Sequence, residues 1–397
     1  MQLRARLFSI GVAALAAIPL TVVGSAEASQ ASVPAQATAH SCATAKAGSA
    51  SCKAVVRTDI ASTKSVSPLA TPSGYGPSSL QSAYNLPSAT AGSGRTVAIV
   101  DAYDDPTAEA DLAVYRSQFG LPACTTANGC FKKIDQNGGT AYPRTNGGWA
   151  QEISLDLDMV SAICPNCSIL LVEATSASFA NLGTAVNRAA ATSGVVAISN
   201  SYGGSDASDA NYGSYYNHPG IAVTASSGDN GYGASYPASS HYVTAVGGTT
   251  LNTASTSRGW SETAWSGAGS GCSAYNTALT AASSFDTGCA KRAEADVSAV
   301  ANPATGVAVY DSTAYKGQSG WMVFGGTSVS APIIASVYAL AGNTGSIDNN
   351  YPYTHSTSLW DVTSGSNGSC PTTQWCNART GWDGPTGLGT PNGTGAF

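Results

Sequence analysis

Gly325-Gly326-Thr327-Ser328-Val329-Ser330-Ala331-Pro332 runs straight into Ile333-Ile334-Ala335-Ser336-Val337-Tyr338-Ala339-Leu340. The glycines make a tight turn and the apolar run behind them reads as a buried helix. Ser328 therefore sits at a helix start, where its hydroxyl is held in place and the N-terminal dipole favours negative charge developing beside it. A serine so placed is a candidate nucleophile and needs a base. The chain has four histidines, and none follows a glycine at the start of a helical stretch. His40 lies near the N-terminus, His218 in the turn-like run Tyr216 to Gly220, His241 at a strand start and His355 in a Tyr/Pro/Ser/Thr loop.

Outward from this turn, apolar runs alternate with helical patterns. Thr96 to Val100, Ser168 to Val172, Gly194 to Ser199, Ile221 to Ala225 and Tyr242 to Val246 read as strands. Helices are expected from Asp105-Pro106 to Phe119, with proline in the first turn, and over Gly148 to Ile163 and Ala177 to Thr192. Continuous Val/Ile/Ala strands between helices predict an α/β fold, a doubly wound, mostly parallel sheet with helices on both faces. Ligands of such sheets bind beyond the carboxyl ends of the strands, where Asp101, Ser201 and Asp229 fall. Beyond Thr250 the chain is rich in Ser, Thr and Gly, and its elements are not assigned.

A base is available from carboxylates. In Trp149-Ala150-Gln151-Glu152-Ile153-Ser154-Leu155-Asp156-Leu157-Asp158, Glu152 and Asp156 are four apart and share a helix face, whereas Asp158 points elsewhere. Two carboxyls held together in a partly apolar site share a proton and can accept one from a serine in acid. The plain alternative is a solvated acidic helix face. Ser226-Ser227-Gly228-Asp229-Asn230-Gly231 follows a strand, and a protonated Asp229 there would donate a hydrogen bond to an oxyanion. Gly-Asp-Asn-Gly is equally good turn chemistry. Asp101 directly follows the strand Val97 to Val100, the place for the acid of a Ser-His-Asp triad.

Met1 to Ala28 carries Arg4 and Arg6, the apolar run Leu7 to Val23 and then Ala26-Glu27-Ala28, which reads as a secretory signal peptide. No other segment is long and apolar enough to span a bilayer. Ser29 to about Ala70 reads as a short, poorly structured pro-segment or linker, and residues 71–397 as the catalytic domain. The ten cysteines form five near-neighbour pairs, Cys42/Cys52, Cys124/Cys130, Cys164/Cys167, Cys272/Cys289 and Cys370/Cys376, best read as local disulfides. Cys164-Pro165-Asn166-Cys167 has a redox or zinc alternative without a second CxxC to support it. Net charge is −6 with 10% charged residues, against about a quarter in average proteins. No basic patch suits nucleic acid or an anionic membrane, and sparse carboxylates are compatible with acid tolerance.

Together, the Gly325 to Pro332 run, the Glu152/Asp156 spacing and Ser227-Gly228-Asp229 resemble the sedolisins, serine-carboxyl peptidases of subtilisin-like fold. The resemblance covers most of Tyr75 to Phe397. It implies Ser328 as nucleophile, Glu152 as general base, Asp156 as its proton-sharing partner and Asp229 as the oxyanion acid, with Asp101 structural. Ser201-Tyr202-Gly203 would be the edge that an extended peptide pairs with. The resemblance also implies a calcium ion held by Asp361 and Asp383 side chains and by the carbonyls of Val362, Arg379 and Gly381, an oxygen-only cage. The expectation is a secreted, monomeric endopeptidase acting on proteins or peptides in acid. A His-based subtilisin-type enzyme and a non-catalytic binding protein on a peptidase scaffold are the alternatives. Sedolisins usually carry a long folded pro-domain, which this chain does not match; Arg379 and Ala295 also depart from the usual pattern.

Overall fold

A computed structural model describes residues 1–2, 37–64, 72–343 and 349–397. Two units are distinguished, Met1–Ala35 and Gln36–Phe397, and the second carries every element described. The expected signal peptide falls largely on residues 3–36, outside the described residues.

In chain order the elements are β1 (Thr38–His40), β2 (Ser51–Cys52), β3 (Val55–Arg57), α1 (Pro77–Ala83), β4 (Thr96–Ala102), α2 (Ala108–Gln118), β5 (Phe131–Asp135), α3 (Gly147–Ile163), β6 (Ser168–Ala174), α4 (Phe179–Ala190), β7 (Val195–Asn200) and β8 (Tyr202–Ser205). They continue with α5 (Asp209–Tyr212), β9 (Ala222–Ser226), β10 (Ser235–Tyr236), β11 (Thr244–Thr253), β12 (Trp260–Ala264), β13 (Gly271–Cys272), β14 (Ala293–Glu294), β15 (Val297–Val300), β16 (Val307–Tyr315), β17 (Gln318–Gly325) and α6 (Thr327–Ala341). The main sheet runs β12-β11-β9-β7-β4-β6-β5, with β15 also paired to β11. Only the β11–β12 pair in it is antiparallel. Its strands are buried on both faces. Val97 and Ile99 of β4 join one core with Ile153, Leu157 and Ile333, whereas Ala98, Val100 and Ala102 join another with Leu182 and Val186. That period of two is the physical basis of helices on both faces.

Helix ends follow capping chemistry. The Asn146 side chain accepts from Gly148 N and Trp149 N and starts α3; Ser178 accepts from Asn181 N and starts α4. The second helix begins at Ala108 rather than at Asp105-Pro106. The Asp105 carboxylate binds the Thr107 amide at 3.0 Å in a turn ahead of it. The loop-rich region beyond Thr250 contains β16 and β17, an antiparallel hairpin that leads into α6. Its strands are built by cross-strand pairing that local composition does not reveal.

The stretch expected to be poorly structured is ordered in its middle part. β1 and β3 pair with each other, β3 adds to β17, and β2 adds to β8. The Cys42–Cys52 disulfide closes the loop between β1 and β2. Little apolar periodicity is needed when a segment borrows its backbone partners from the rest of the fold.

Candidate active site

The neighbouring strands β4, β7 and β9 end side by side, and their carboxyl ends bring in Asp101, Ser201 and Asp229. Here the chain turns from building one half of the sheet to the other, the switch point where doubly wound sheets open a crevice. α3 and α6 pack against each other on one face, bringing Glu152, Asp156 and Ser328 to the same place. All three are fully buried, so Glu152 and Asp156 do not belong to a solvated helix face. Asp158 is also buried but points away and accepts from Tyr310 N at 2.9 Å.

Ser328 is the second residue of α6, after Gly326 with φ 93°. A Cβ on Gly326 would lie 1.9 Å from the Lys53 carbonyl oxygen, so the turn requires glycine on both conformational and steric grounds. Pro332 removes the amide that would bond the Ser328 carbonyl within the helix, and the Ser201 hydroxyl lies 3.4 Å from that carbonyl. Ser328 Oγ donates to the Ser201 carbonyl at 3.1 Å and lies beside Glu152, whose charged form it favours. Ser201 Oγ also donates to Asp156 Oδ1 at 2.7 Å. Ser201 thus bridges the serine and the acid pair, a role beyond that of a strand-edge residue.

The acids are held far from their solution behaviour. Burial pushes Glu152 well above the ordinary carboxylate range, and the Asp101 charge adds to it. Asp156 is pushed up by burial, then by Asp101 and Glu152, against the Ser201 hydrogen bond. Asp101, a strand-end residue read as structural, is fully buried, and neither of its oxygens has a hydrogen-bond partner. Burial lifts it to about 8. Three buried carboxyls that each raise another's affinity for protons cannot all ionise together. Asp229 approaches from the opposite side. Its Oδ1 accepts from Thr327 N at 2.7 Å and Thr327 Oγ1 at 2.8 Å, while Oδ2 is buried without a partner. Burial raises Asp229 against the lowering influence of Lys53 and Thr327. The oxygen left over is therefore the one suited to carry a proton and donate.

Ser201 precedes β8, and Tyr202 and Gly203 open it; β8 lies between β10 and β2, with Ser51 opposite Gly203 and Cys52 opposite Tyr202. Ala54 N donates to Glu152 Oε2 at 2.8 Å. Three histidines bond elsewhere, His218 to the Tyr215 carbonyl, His241 to the Thr277 carbonyl and His355 to the Tyr351 carbonyl. His40 lines the cleft, where its charge bears on Asp229.

At the C-terminal end, Asp361 Oδ2 accepts from Gly381 N at 3.0 Å, and Asp383 accepts from Arg379 N at 3.1 Å. Burial and then Asp361 are among the influences that lift Asp383 to about 7. The carbonyls of Val362, Arg379 and Gly381 accept no hydrogen bond from the described residues. Two mutually repelling acids with three uncommitted carbonyls suit an oxygen-seeking cation. A second acid cluster, which no sequence motif marks, gathers Asp105, Asp111 and Asp311 within 4.8 Å. Thr107 and Thr313 hydroxyls donate into it. All five near-neighbour cysteine pairs are disulfides, which excludes a zinc thiolate at Cys164/Cys167. No helix among the described residues is long and apolar enough to cross a membrane.

A model of the subtilase family matches residues 136–357, more than half of the chain. Kumamolisin of Bacillus sp. (strain MN-32) is 30% identical over 366 residues, covering 82% of this chain and 63% of that protein. Sedolisin of Pseudomonas sp. (strain 101) is 34% identical over 176 residues, 40% of this chain and 29% of that protein. The chain thus spans less than two thirds of the length of these curated relatives. Among solved structures, Pseudomonas sedolisin, a serine-carboxyl proteinase complexed with two molecules of pseudo-iodotyrostatin, superposes with a TM-score of 0.66 at 26% identity, covering 81% of this chain and 96% of that one. The doubly wound sheet is therefore the subtilisin-like fold, and the chain belongs to the subtilase family, in its sedolisin branch.

Proposed function

We propose that the protein is a secreted serine-carboxyl endopeptidase that hydrolyses peptide bonds in acid through an acyl-enzyme. One observation carries the reading: a serine at a helix N-terminus lies beside a buried glutamate and within a chain of buried acids. In this reading Ser328 Oγ attacks the peptide carbonyl and Glu152 takes the hydroxyl proton. Asp156 and Asp101 share protons with Glu152, and Ser201 orients Asp156. Asp229 Oδ2 donates to the oxyanion, with the Ser328 backbone N–H as the second donor. Glu152 then passes its proton to the leaving amine, and water completes the second half by the reverse route. Extended peptide pairs with Ser201-Tyr202-Gly203 through its backbone.

The sign of the pH dependence follows. Glu152 works as a base only after the buried acid group has lost a proton, and Asp229 donates only while it keeps its own. The rate therefore rises and then falls with pH, and the fall tracks Asp229. Calcium at Asp361, Asp383 and the carbonyls of Val362, Arg379 and Gly381 would neutralise the two acids and tie the C-terminal loops together. It contributes stability and no chemical step. The enzyme is proposed to act as a monomer, with residues 1–28 as signal peptide, the stretch to about Ala70 as pro-segment and residues 71–397 as the catalytic domain. Digestion of a peptide library at several pH values tests the reading. Ser328→Ala and Glu152→Gln are each expected to lower the rate by about 100-fold or more. Near-normal cleavage by Glu152→Gln would return the role of base to a histidine.

A further inference from the structure

Asp105, Asp111 and Asp311 meet at a place that the proposed reaction does not use. Asp105 stands in the turn between β4 and α2, Asp111 in the first turn of α2 and Asp311 in β16. Each offers a carboxylate oxygen within 4.8 Å of those of the other two, and their exposures are only 0%, 3% and 0%.

Two independent features show that this group lacks positive charge. The first is Asp311 itself, fully buried, whose Oδ1 accepts from Thr313 N at 2.7 Å while Oδ2 is buried without a partner. The second is a shortage of hydrogens. Thr107 Oγ1 lies 3.0 Å from Asp105 Oδ1, 2.7 Å from Asp111 Oδ2 and 2.9 Å from Thr313 Oγ1, which is itself 3.2 Å from Asp105 Oδ1. The two hydroxyls have one proton each, too few for these contacts, so oxygen faces oxygen in the rest. Among the described residues no Lys or Arg forms an ion pair with any of the three acids. The Lys133 ammonium donates to the Asp105 carbonyl at 2.7 Å, but its ion pairs are with Asp104 and Glu173. Buried carboxylates without a counter-charge are costly, and either protons or a metal ion must neutralise them.

We infer that Asp105, Asp111 and Asp311 hold a divalent, oxygen-seeking cation, calcium, at a site separate from Asp361 and Asp383. One oxygen from each carboxylate and the hydroxyls of Thr107, Ser312 and Thr313 make a shell of six, within calcium's range. Magnesium keeps several of its waters, for which a buried group of side chains has less room. Thr107, Ser312 and Thr313 are half-buried, so the site lies one residue beneath the surface and an ion can enter. The ion fastens the turn after β4 and the start of α2 to β16. Ser154, on α3 between Glu152 and Asp156, donates to Asp105 Oδ2 at 3.3 Å. The site therefore braces the helix that carries the proposed base, and it takes no part in the chemistry. The inference stands apart from the peptidase reading, since binding is measured without any reaction.

The test uses the full chain carrying Ser328→Ala, which guards against self-digestion, and Asp383→Ala, which disables the proposed C-terminal site. The chain is stripped with a chelator and titrated with calcium chloride at pH 7 by calorimetry, with melting temperatures taken with and without calcium. The expected result is one calcium ion bound per chain and a higher melting temperature. Adding Asp311→Asn, close to isosteric, abolishes both. Asp111→Asn still offers an oxygen to the Thr107 and Ser312 donors and weakens binding by about 10-fold or more, because one ligand charge is lost. It is the check should Asp311→Asn fail to fold. No calcium bound before the cluster is altered means that protons alone neutralise the acids, and it overturns the inference. Binding left unchanged by Asp311→Asn or by Asp111→Asn overturns it as well.

Discussion

Replacing Asp229 isolates the proton on which the acid preference depends. Thr327 donates twice to Oδ1, at 2.7 and 2.8 Å, while Oδ2 is buried without a partner. In Asp229→Asn the amide carbonyl takes the Oδ1 position and the NH2 group falls where Oδ2 was. The variant therefore keeps a donor toward the oxyanion and loses the titration. Asp229→Ala loses the donor and also strands the Thr327 amide and hydroxyl. Removing one oxyanion donor costs about 100- to 1,000-fold in kcat, and each stranded buried donor costs about 1–3 kcal/mol of stability. The assay is kcat/KM on an internally quenched peptide from pH 3 to 8, with thermal melts of both variants. Asparagine should stay within about 10-fold of the wild type at its optimum, the size of one weakened hydrogen bond, and hold its rate where the wild type falls on the alkaline side. Alanine should lose the full factor at every pH. Equal damage by both substitutions, or an unmoved alkaline limb in Asp229→Asn, would refute the role of a neutral Asp229.

Three further outcomes are expected. Asp101 is lifted to about 8 in the fold from about 3.9 in an unfolded chain, so the folded state holds its proton more tightly and stability falls as pH rises from about 4 through 8. Asp101→Asn should remove up to about 4 kcal/mol of the loss between pH 4.5 and 7.5, measured by denaturant titration at both pH values; parallel losses in the two proteins would show that Asp101 does not hold that proton. Chelation should lower the melting temperature, calcium restoring about 2.7 kcal/mol at a hundredfold excess over its Kd. Asp383→Ala should diminish that response, and a response left undiminished by the substitution would move the site elsewhere. Ser201→Ala removes the 2.7 Å donor to Asp156 and should lower kcat by about 10- to 100-fold with little change in KM; a change confined to KM would make Ser201 a substrate contact only.

Much of the framework is legible in the chain. The buried strands at Thr96 and Ser168 and the helix at Gly148 are apolar runs of the right length, and the five cysteine pairs are close enough in sequence for local disulfides. The glycine turn before Ser328 is legible for the same reason, since only glycine tolerates φ 93° against the Lys53 carbonyl. The Glu152/Asp156 spacing follows from helical geometry alone.

What sequence could not say is what each side chain meets. An acidic helix face in water and a buried proton-sharing pair have the same spacing, and burial by α6 and the sheet separates them. The charge of Asp101 on Glu152 and Asp156, and the Ser201 bridge, arise where β4 and β7 lie side by side, although about a hundred residues separate them in the chain. Ser29 to Ala70 read as a loose linker because its strands take their backbone partners from β8 and β17, and hydrogen bonds to distant strands leave no periodic mark. Local sequence thus determined the elements and the residue types able to do the chemistry. Tertiary structure decided which acids are dry and which of them meet, because burial and proximity are properties of the packed chain.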